Sequence, residues 1–231
     1  MSYSIPDIAA ESTAAEILTA GIEAAGGPVS LACSFSMEDV AIIDIAHTAG
    51  LKLGVFALDT GRLHEETYEV AEALVERYRL KIDWYFPKND DVEKLERAKG
   101  LFSFRESLEN RHECCQIRKV EPLSRALNGL SGWVTGMRRE QSVTRSDLKA
   151  IDVDLHHGGI LKINPLLNWS ERQVIDYTAE HSLPTNRLYK QKFRSIGCAP
   201  CTRAIGPWDK EREGRWWWED AESKECGLHS R

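Results

Sequence analysis

The chain has 231 residues, 42% of them hydrophobic, and a formal net charge of −6. That length buries a sizeable core, and the composition is that of an ordinary soluble globular protein, one domain plus a tail. The acidic balance argues against broad affinity for nucleic acid or membrane surfaces. The N-terminus MSYSIPDIAAEST lacks the basic start and apolar run of a signal peptide. No apolar run approaches the roughly 18 residues that a membrane span needs. The expected location is a reducing cytoplasm, where clustered cysteines bind metal or do catalysis more often than they form disulfides.

Thr13-Ala-Ala-Glu16 has the form of a capping box, and Ile17, Leu18, Ile22 and Ala25 make the apolar stripe of a helix that Gly26-Gly27 ends. VSLACSF, residues 29–35, reads as a buried strand, residues 37–47 as a helix closed near Gly50, and residues 53–58 as a second buried strand. Residues 64–78 read as a helix and 80–86 as a third strand. This alternation predicts an α/β fold with a parallel central sheet and helices on both faces. Ligands of such sheets bind beyond the carboxyl ends of the strands. SFSMED (34–39) and LDTGRLHEET (58–67) lie there, both polar and both leading into helices. Helical segments are expected around 92–99 and 117–127, strands at 133–136 and 159–163, and a helix over 170–181 capped by Ser170. Little regular structure is expected after Leu183-Pro184. The chain divides into a domain over 1–204 and a tail over 205–231 that carries Arg212, Arg215 and Trp216-Trp217-Trp218.

Cys114 and Cys115 are adjacent in HECCQIRK, and Cys198 and Cys201 form a C-x-x-C in IGCAPC. Four thiolates suit zinc or an iron–sulfur cluster. Adjacent cysteines crowd one small ion but can each take a separate iron, so the geometry favours [4Fe-4S] over zinc. A three-ligand site with Cys115 as a buried apolar residue stays open. Arg118, Lys119 and Arg203 follow the cysteine pairs, where cations lower thiol pKa values and offset a cluster's negative charge. Each of them equally suits a solvated helix face.

Ser34 and Ser36, with the free N–H groups of the following helix, can take a phosphate; simple capping by Ser36 is the plainer alternative. The segment lacks the glycine run of a pyrophosphate loop. Gly136 follows a strand and precedes Arg138, Arg139 and Arg145, a pattern suited to close approach of backbone to an anion. Cys33 reads as core, and His156-His157 as a surface turn. Cys226, in KECGLHSR, is a thiol near the chain's end. Arg212 and Arg215 would activate it if the tail folds over them; otherwise it is an incidental exposed cysteine.

Taken together, SFSMED, LDTGRL, CCQIRK, TGMRREQS-x-TR, GCAPCTR, EREGRWWWE and KECGLH resemble the assimilatory adenylyl-sulfate (APS) reductases, relatives of the 3′-phosphoadenylyl-sulfate (PAPS) reductases. The resemblance implies a Rossmann-like adenine-nucleotide α-hydrolase fold with a mobile C-terminal tail. It implies a [4Fe-4S] cluster on Cys114, Cys115, Cys198 and Cys201, with Lys119 between cluster and substrate. Ser34, Ser36, Leu58, Gly136 and Arg145 would contact the nucleotide; Arg212, Arg215 and His229 would reach the phosphosulfate. Cys226 would attack the sulfate sulfur, release AMP and pass its S-sulfocysteine to thioredoxin, yielding sulfite. Within that family the double cysteine pair goes with APS rather than PAPS, a PAPS reductase or dual specificity being the alternatives. A zinc-binding interaction module and an adenylylating enzyme of the same fold are the rivals from other classes. A homo-oligomer is compatible with the sequence.

Overall fold

The structure, a computed structural model, describes residues 3–141 and 148–220. Its regular elements are α1 (Ala14–Ala25), β1 (Val29–Cys33), α2 (Met37–Thr48), β2 (Gly54–Leu58), α3 (Glu65–Tyr78), β3 (Ile82–Tyr85), α4 (Asn89–Lys99), α5 (Leu108–Cys115), α6 (Glu121–Leu127), β4 (Gly132–Val134), β5 (Ile151–Asp154), β6 (Ile160–Ile163) and α7 (Glu171–Glu180). The strands form one six-stranded sheet in the order β3-β2-β1-β4-β6-β5. β1 pairs in parallel with β2 and β4, and β4 with β6. The expected α/β class with its mostly parallel sheet is therefore present. β5 is an addition, an antiparallel edge strand on β6.

The chain separates into two compact units. The first comprises the chain through Ala57, Glu66–Asp83 and Gly129–Arg187; the second comprises Leu58–Glu65, Trp84–Asn128 and the chain from Leu188 onward. Residues 205–220 thus group with the second unit.

In the first unit, α1 begins with the expected capping box: Thr13 Oγ1 accepts the Glu16 N–H, and the Glu16 carboxylate accepts the Thr13 N–H. Leu18 of α1, Leu31 of β1, Val134 of β4 and Leu161 and Ile163 of β6 are fully buried. Gly21 permits this packing, since a Cβ there would stand 2.7 Å from Ile163 Cδ1. Asp44, buried on α2, accepts hydrogen bonds from Tyr78 on α3 and Tyr177 on α7, each at 2.7 Å. One carboxylate thereby ties three helices.

β1 stops two residues earlier than its apolar run implies. The Ser34 N–H leaves the ladder to bond the Asp39 carboxylate at 2.6 Å. Buried Phe35 then turns into the left-handed region at φ 63°, a conformation that costs a non-glycine residue about 1–2 kcal/mol. In the second unit, the expected helix around 117–127 extends back to Leu108 as α5, a π-turn over Gln116–Val120, and α6. Pro122 has no N–H to give the Arg118 carbonyl, which accounts for a helix that widens just ahead of it.

Replacing Asp44 with alanine leaves two phenols, the buried Tyr78 and the half-buried Tyr177, without their acceptor. We expect Asp44→Ala to lower the unfolding free energy by about 3 kcal/mol, read as a shift in urea midpoint at unchanged slope.

Candidate functional site

The strand order reverses between β1 and β4, and there the first unit brings two polar turns together. Ser36 caps α2, accepting the Asp39 N–H at 3.4 Å. Ser34 donates both its N–H and its hydroxyl to Asp39 Oδ2, at 2.6 and 2.7 Å. The β4 turn closes against this helix start. A Cβ on Gly136 would lie 2.7 Å from Asp39 Oδ1 and 2.8 Å from Glu38 Cβ, so glycine is required by the helix start itself. Arg138, fully buried, donates from Nε to Glu38 Oε1 at 2.9 Å, and Gln141 donates to the same oxygen at 2.9 Å. Arg139 bonds Asn168 Oδ1 and the Leu148 carbonyl. Of the three arginines read as an anion site, Arg138 is thus paired to an acid and Arg139 to neutral acceptors. Arg145 lies outside the described residues.

Burial pushes the Asp39 carboxyl up to about 6, with Glu38 adding to the rise and the Ser34 and Ser36 hydrogen bonds opposing it. The folded protein therefore holds a proton at Asp39 that the unfolded chain gives up more readily.

The second unit gathers the cysteine pairs. Cys114, Cys115, Cys198 and Cys201 line one cavity with Arg62, Phe104, Arg111, Arg118, Lys119 and Trp216. The first pair ends α5, and the second sits in a short turn whose Cys201 N–H bonds the Cys198 carbonyl at 2.9 Å. That turn is braced on both sides. The Ala199 N–H donates to the Arg62 carbonyl at 2.8 Å, and the Trp216 N–H to the Cys201 carbonyl at 3.1 Å. Thr60 Oγ1 lies 3.3 Å from Cys198 Sγ. Gly197 leaves room for the Arg215 guanidinium, with which a Cβ would collide.

Charge is dense around these thiols. Arg111, almost wholly buried, grips Glu219 through Nε and Nη2 at 3.0 and 2.9 Å and stacks on Trp216 at 4.7 Å. Burial pushes the Cys201 thiol up to about 12; Cys198 adds to the rise and Lys119 opposes it. Burial also raises Cys114, against the charges of Arg62 and Arg118. Among the described residues, no group of three or more His, Cys, Asp or Glu side chains is placed to hold a single metal ion. The four thiols share a cavity wall instead.

Leu58 ends β2. Arg215 is buried, with Nη1 at 3.4 Å from both Ser195 Oγ and the Ile196 carbonyl, and Arg212 is half-buried. The tryptophan run fills core and carries cations. Trp216 is buried, Trp218 packs on Phe104 at 5.9 Å, and Arg203 lies over Trp217 at 5.6 Å. Cys226 and His229 lie outside the described residues. Cys33 is core, as expected. Residue patterns did not single out Glu96, Arg62, Arg111 or Glu219. The signal for the arginines was available only as basic residues within otherwise polar segments.

A mostly parallel α/β sheet with polar turns at its switch point, and a second unit bearing a four-cysteine cavity, define an α/β protein with a thiol centre. Residues 28–204 match the phosphoadenosine phosphosulfate reductase domain, and the chain belongs to that family. It is 44% identical to an adenosine 5′-phosphosulfate reductase of Burkholderia cepacia, over 97% of this chain and 89% of the relative. It is 46% identical to one from Allochromatium vinosum, over 88% and 79%. The chloroplastic 5′-adenylylsulfate reductase 1 of Arabidopsis thaliana is 45% identical over 93% of this chain, which spans only 47% of that longer protein. Among solved structures, a phosphoadenylyl-sulfate reductase from Candida auris, in a phosphate complex, superposes with a TM-score of 0.70 at 26% identity, covering 84% of this chain and 91% of the other. An FMN adenylyltransferase of Candida glabrata shares the fold at a TM-score of 0.55 and 16% identity, covering 95% of this chain and 78% of that one.

The raised Asp39 value sets a pH dependence. Its contribution to stability is complete below the ordinary carboxyl value near 3.8 and is lost as the pH rises through about 6. Melting temperatures from pH 4 to 8 should show this decline in the wild type, and Asp39→Asn should flatten it. Gly136→Ala should lower stability by about 1–3 kcal/mol through overpacking against the start of α2, read by chemical denaturation.

Proposed function

We infer that this protein is an adenosine 5′-phosphosulfate reductase that forms sulfite and AMP. The observation that carries this reading is the identity to the Burkholderia cepacia enzyme across nearly the whole chain. The α/β switch point in the first unit supports nucleotide binding. Ser36 keeps its hydroxyl proton after accepting the Asp39 N–H, and the start of α2 offers backbone N–H groups to a phosphate. In this reading Ser34, Ser36, Leu58, Gly136 and Arg145 contact the nucleotide, and Lys119, Arg212, Arg215 and His229 meet the phosphosulfate.

The reaction balances as a set of thiol displacements. The Cys226 thiolate attacks the sulfate sulfur. A sulfur–sulfur bond forms, the bond from sulfur to the bridging oxygen breaks, and AMP leaves with that electron pair. One thiol of a dithiol reductant, thioredoxin, then attacks the S-sulfocysteine. Sulfite leaves and a mixed disulfide forms, which the reductant's second thiol resolves, returning Cys226. The sulfur gains two electrons and the reductant becomes a disulfide. Cations near the ester favour the dianionic leaving group as the bond breaks. Such chemistry belongs in a reducing compartment, the cytoplasm. No helix among the described residues is long and apolar enough to cross a membrane.

Cys114, Cys115, Cys198 and Cys201 would hold a [4Fe-4S] cluster. The residues present fit such a group. Four thiols line one cavity, and three buried donors on residues around it, Arg62 Nη1, Arg118 Nε and Trp216 Nε1, have no hydrogen-bond partner among the described residues. N–H groups of this kind are satisfied by thiolate and sulfide acceptors. The elevated Cys114 and Cys201 values mean that metal loading displaces protons. When bound, the cluster would shape the local field rather than store the electrons of turnover.

Incubation with labelled APS in the absence of reductant, followed by mass spectrometry, should place an SO₃ adduct on Cys226. Cys226→Ser should abolish sulfite release while retaining nucleotide binding; a Cys226→Ser protein that still turns over with thioredoxin removes Cys226 from the chemistry. Comparison of kcat/KM for APS and PAPS tests the substrate, and a preference for PAPS overturns the choice made here. Metal analysis of anaerobically isolated protein separates iron with sulfide from zinc.

A further inference from the structure

Glu96 takes no part in the reaction above, yet it is the hub of the charges in the cysteine cavity wall. It lies on α4, and its side chain is 16% exposed. Its Oε1 accepts from Arg62 Nη2 at 2.5 Å and from Arg118 Nη2 at 2.6 Å. Each arginine is also tethered to a carbonyl. Arg118 Nη1 donates to the Thr60 carbonyl at 2.7 Å, and Arg62 Nη2 donates to the Leu101 carbonyl at 2.8 Å. The Arg62 and Arg118 side chains are 15% and 7% exposed, so neither cation has water as an alternative partner over most of its surface. Two like charges meeting at one oxygen repel, and only the carboxylate between them makes the arrangement favourable. What remains after these bonds is specific: Arg62 Nη1 and Arg118 Nε are buried without a hydrogen-bond partner among the described residues, on two residues that line the cavity with all four cysteines.

We propose that Glu96 is a positioning residue that pins Arg62 and Arg118 so that Arg62 Nη1 and Arg118 Nε serve as N–H donors to the sulfur of the group held by Cys114, Cys115, Cys198 and Cys201. The proposal rests on the cluster reading given above. Hydrogen bonds to cluster sulfur withdraw electron density from it, and outer-shell partners of this kind fix how firmly a metal group is held. Glu96 acts through the arginines and touches neither substrate nor cluster. Its effect therefore belongs to the cluster's spectrum and retention rather than to nucleotide affinity.

The test uses the full chain, isolated anaerobically, as wild type, Glu96→Gln and Glu96→Ala. Glutamine keeps the shape and one acceptor oxygen but removes the charge, so it reads the proposal even if the alanine variant fails to fold. Iron release to a chelator should be about 10- to 100-fold faster in Glu96→Ala than in wild type, with Glu96→Gln between them. The iron–sulfur stretching bands in resonance Raman spectra should shift in both variants while affinity for AMP is retained. A purely structural role would lower the melting temperature and leave the bands and release rate of the folded holoprotein unchanged, and that result overturns the proposal. Wild-type protein lacking iron and sulfide overturns the cluster reading and this inference together. Wild-type protein with its cluster, beside variants that match it, overturns this inference alone.

Discussion

Guanidinium groups cannot line a dry wall unless each meets an acid or a carbonyl, and the second unit is assembled around that requirement. Arg111 on α5 meets Glu219 beyond the tryptophan run. Arg118, in the π-turn, meets Glu96 on α4 and the Thr60 carbonyl after β2. Arg62 meets the same glutamate. These bonds draw four segments that are far apart in sequence to one cavity, where four thiols also converge. Loss of one partner from such a buried pair typically costs about 3–5 kcal/mol, because the other charge is stranded. The placement of the cysteines therefore depends on acids that are not themselves beside the sulfur in sequence.

The first unit uses the same chemistry in its own way. Glu38 and Arg138 form a buried pair, and Asp39 ties the end of β1 to the start of α2. Asp39 differs from Glu38 in having hydroxyl and amide donors rather than a cation, so burial dominates its proton affinity. A strained Phe35 backbone sits between the two serines held in this way. A turn fixed by its own hydrogen bonds meets a ligand with less reordering than a loose loop does.

Elements with apolar periodicity were legible in the sequence. α1 with its capping box, the buried strands β1 and β2, and α7 with Ser170 as its cap all lie within a residue or two of the positions read from pattern. α5 was not legible, because LENRHECC has no apolar stripe; its buried positions are Arg111, Cys114 and Cys115. β5 was missed because its pattern is short and its last residue is a buried acid, Asp154, which accepts from Trp133 Nε1 and contacts His157. The four cysteines were legible as a set because thiol chemistry makes clustered cysteines informative. The arginine partners were not, since a buried guanidinium and a solvated one look alike until the acid opposite is placed. Gly136 was read as suiting close approach of backbone to an anion; its missing Cβ also makes room for Asp39 and Glu38, which the pattern did not reveal.

The bidentate grip of Arg111 on Glu219 fixes a point on the chain shortly before the thiol proposed to attack the substrate. Cys226 follows seven positions later. Whatever path those residues take, seven residues span at most about 25 Å. A thiol tethered within that span of an anchor meets a group inside it at an effective concentration on the order of millimolar or higher. In the proposed reaction, an anchor this close would shorten the tether on which the nucleophile reaches the ester. Its removal would dilute the thiol without altering the thiol itself.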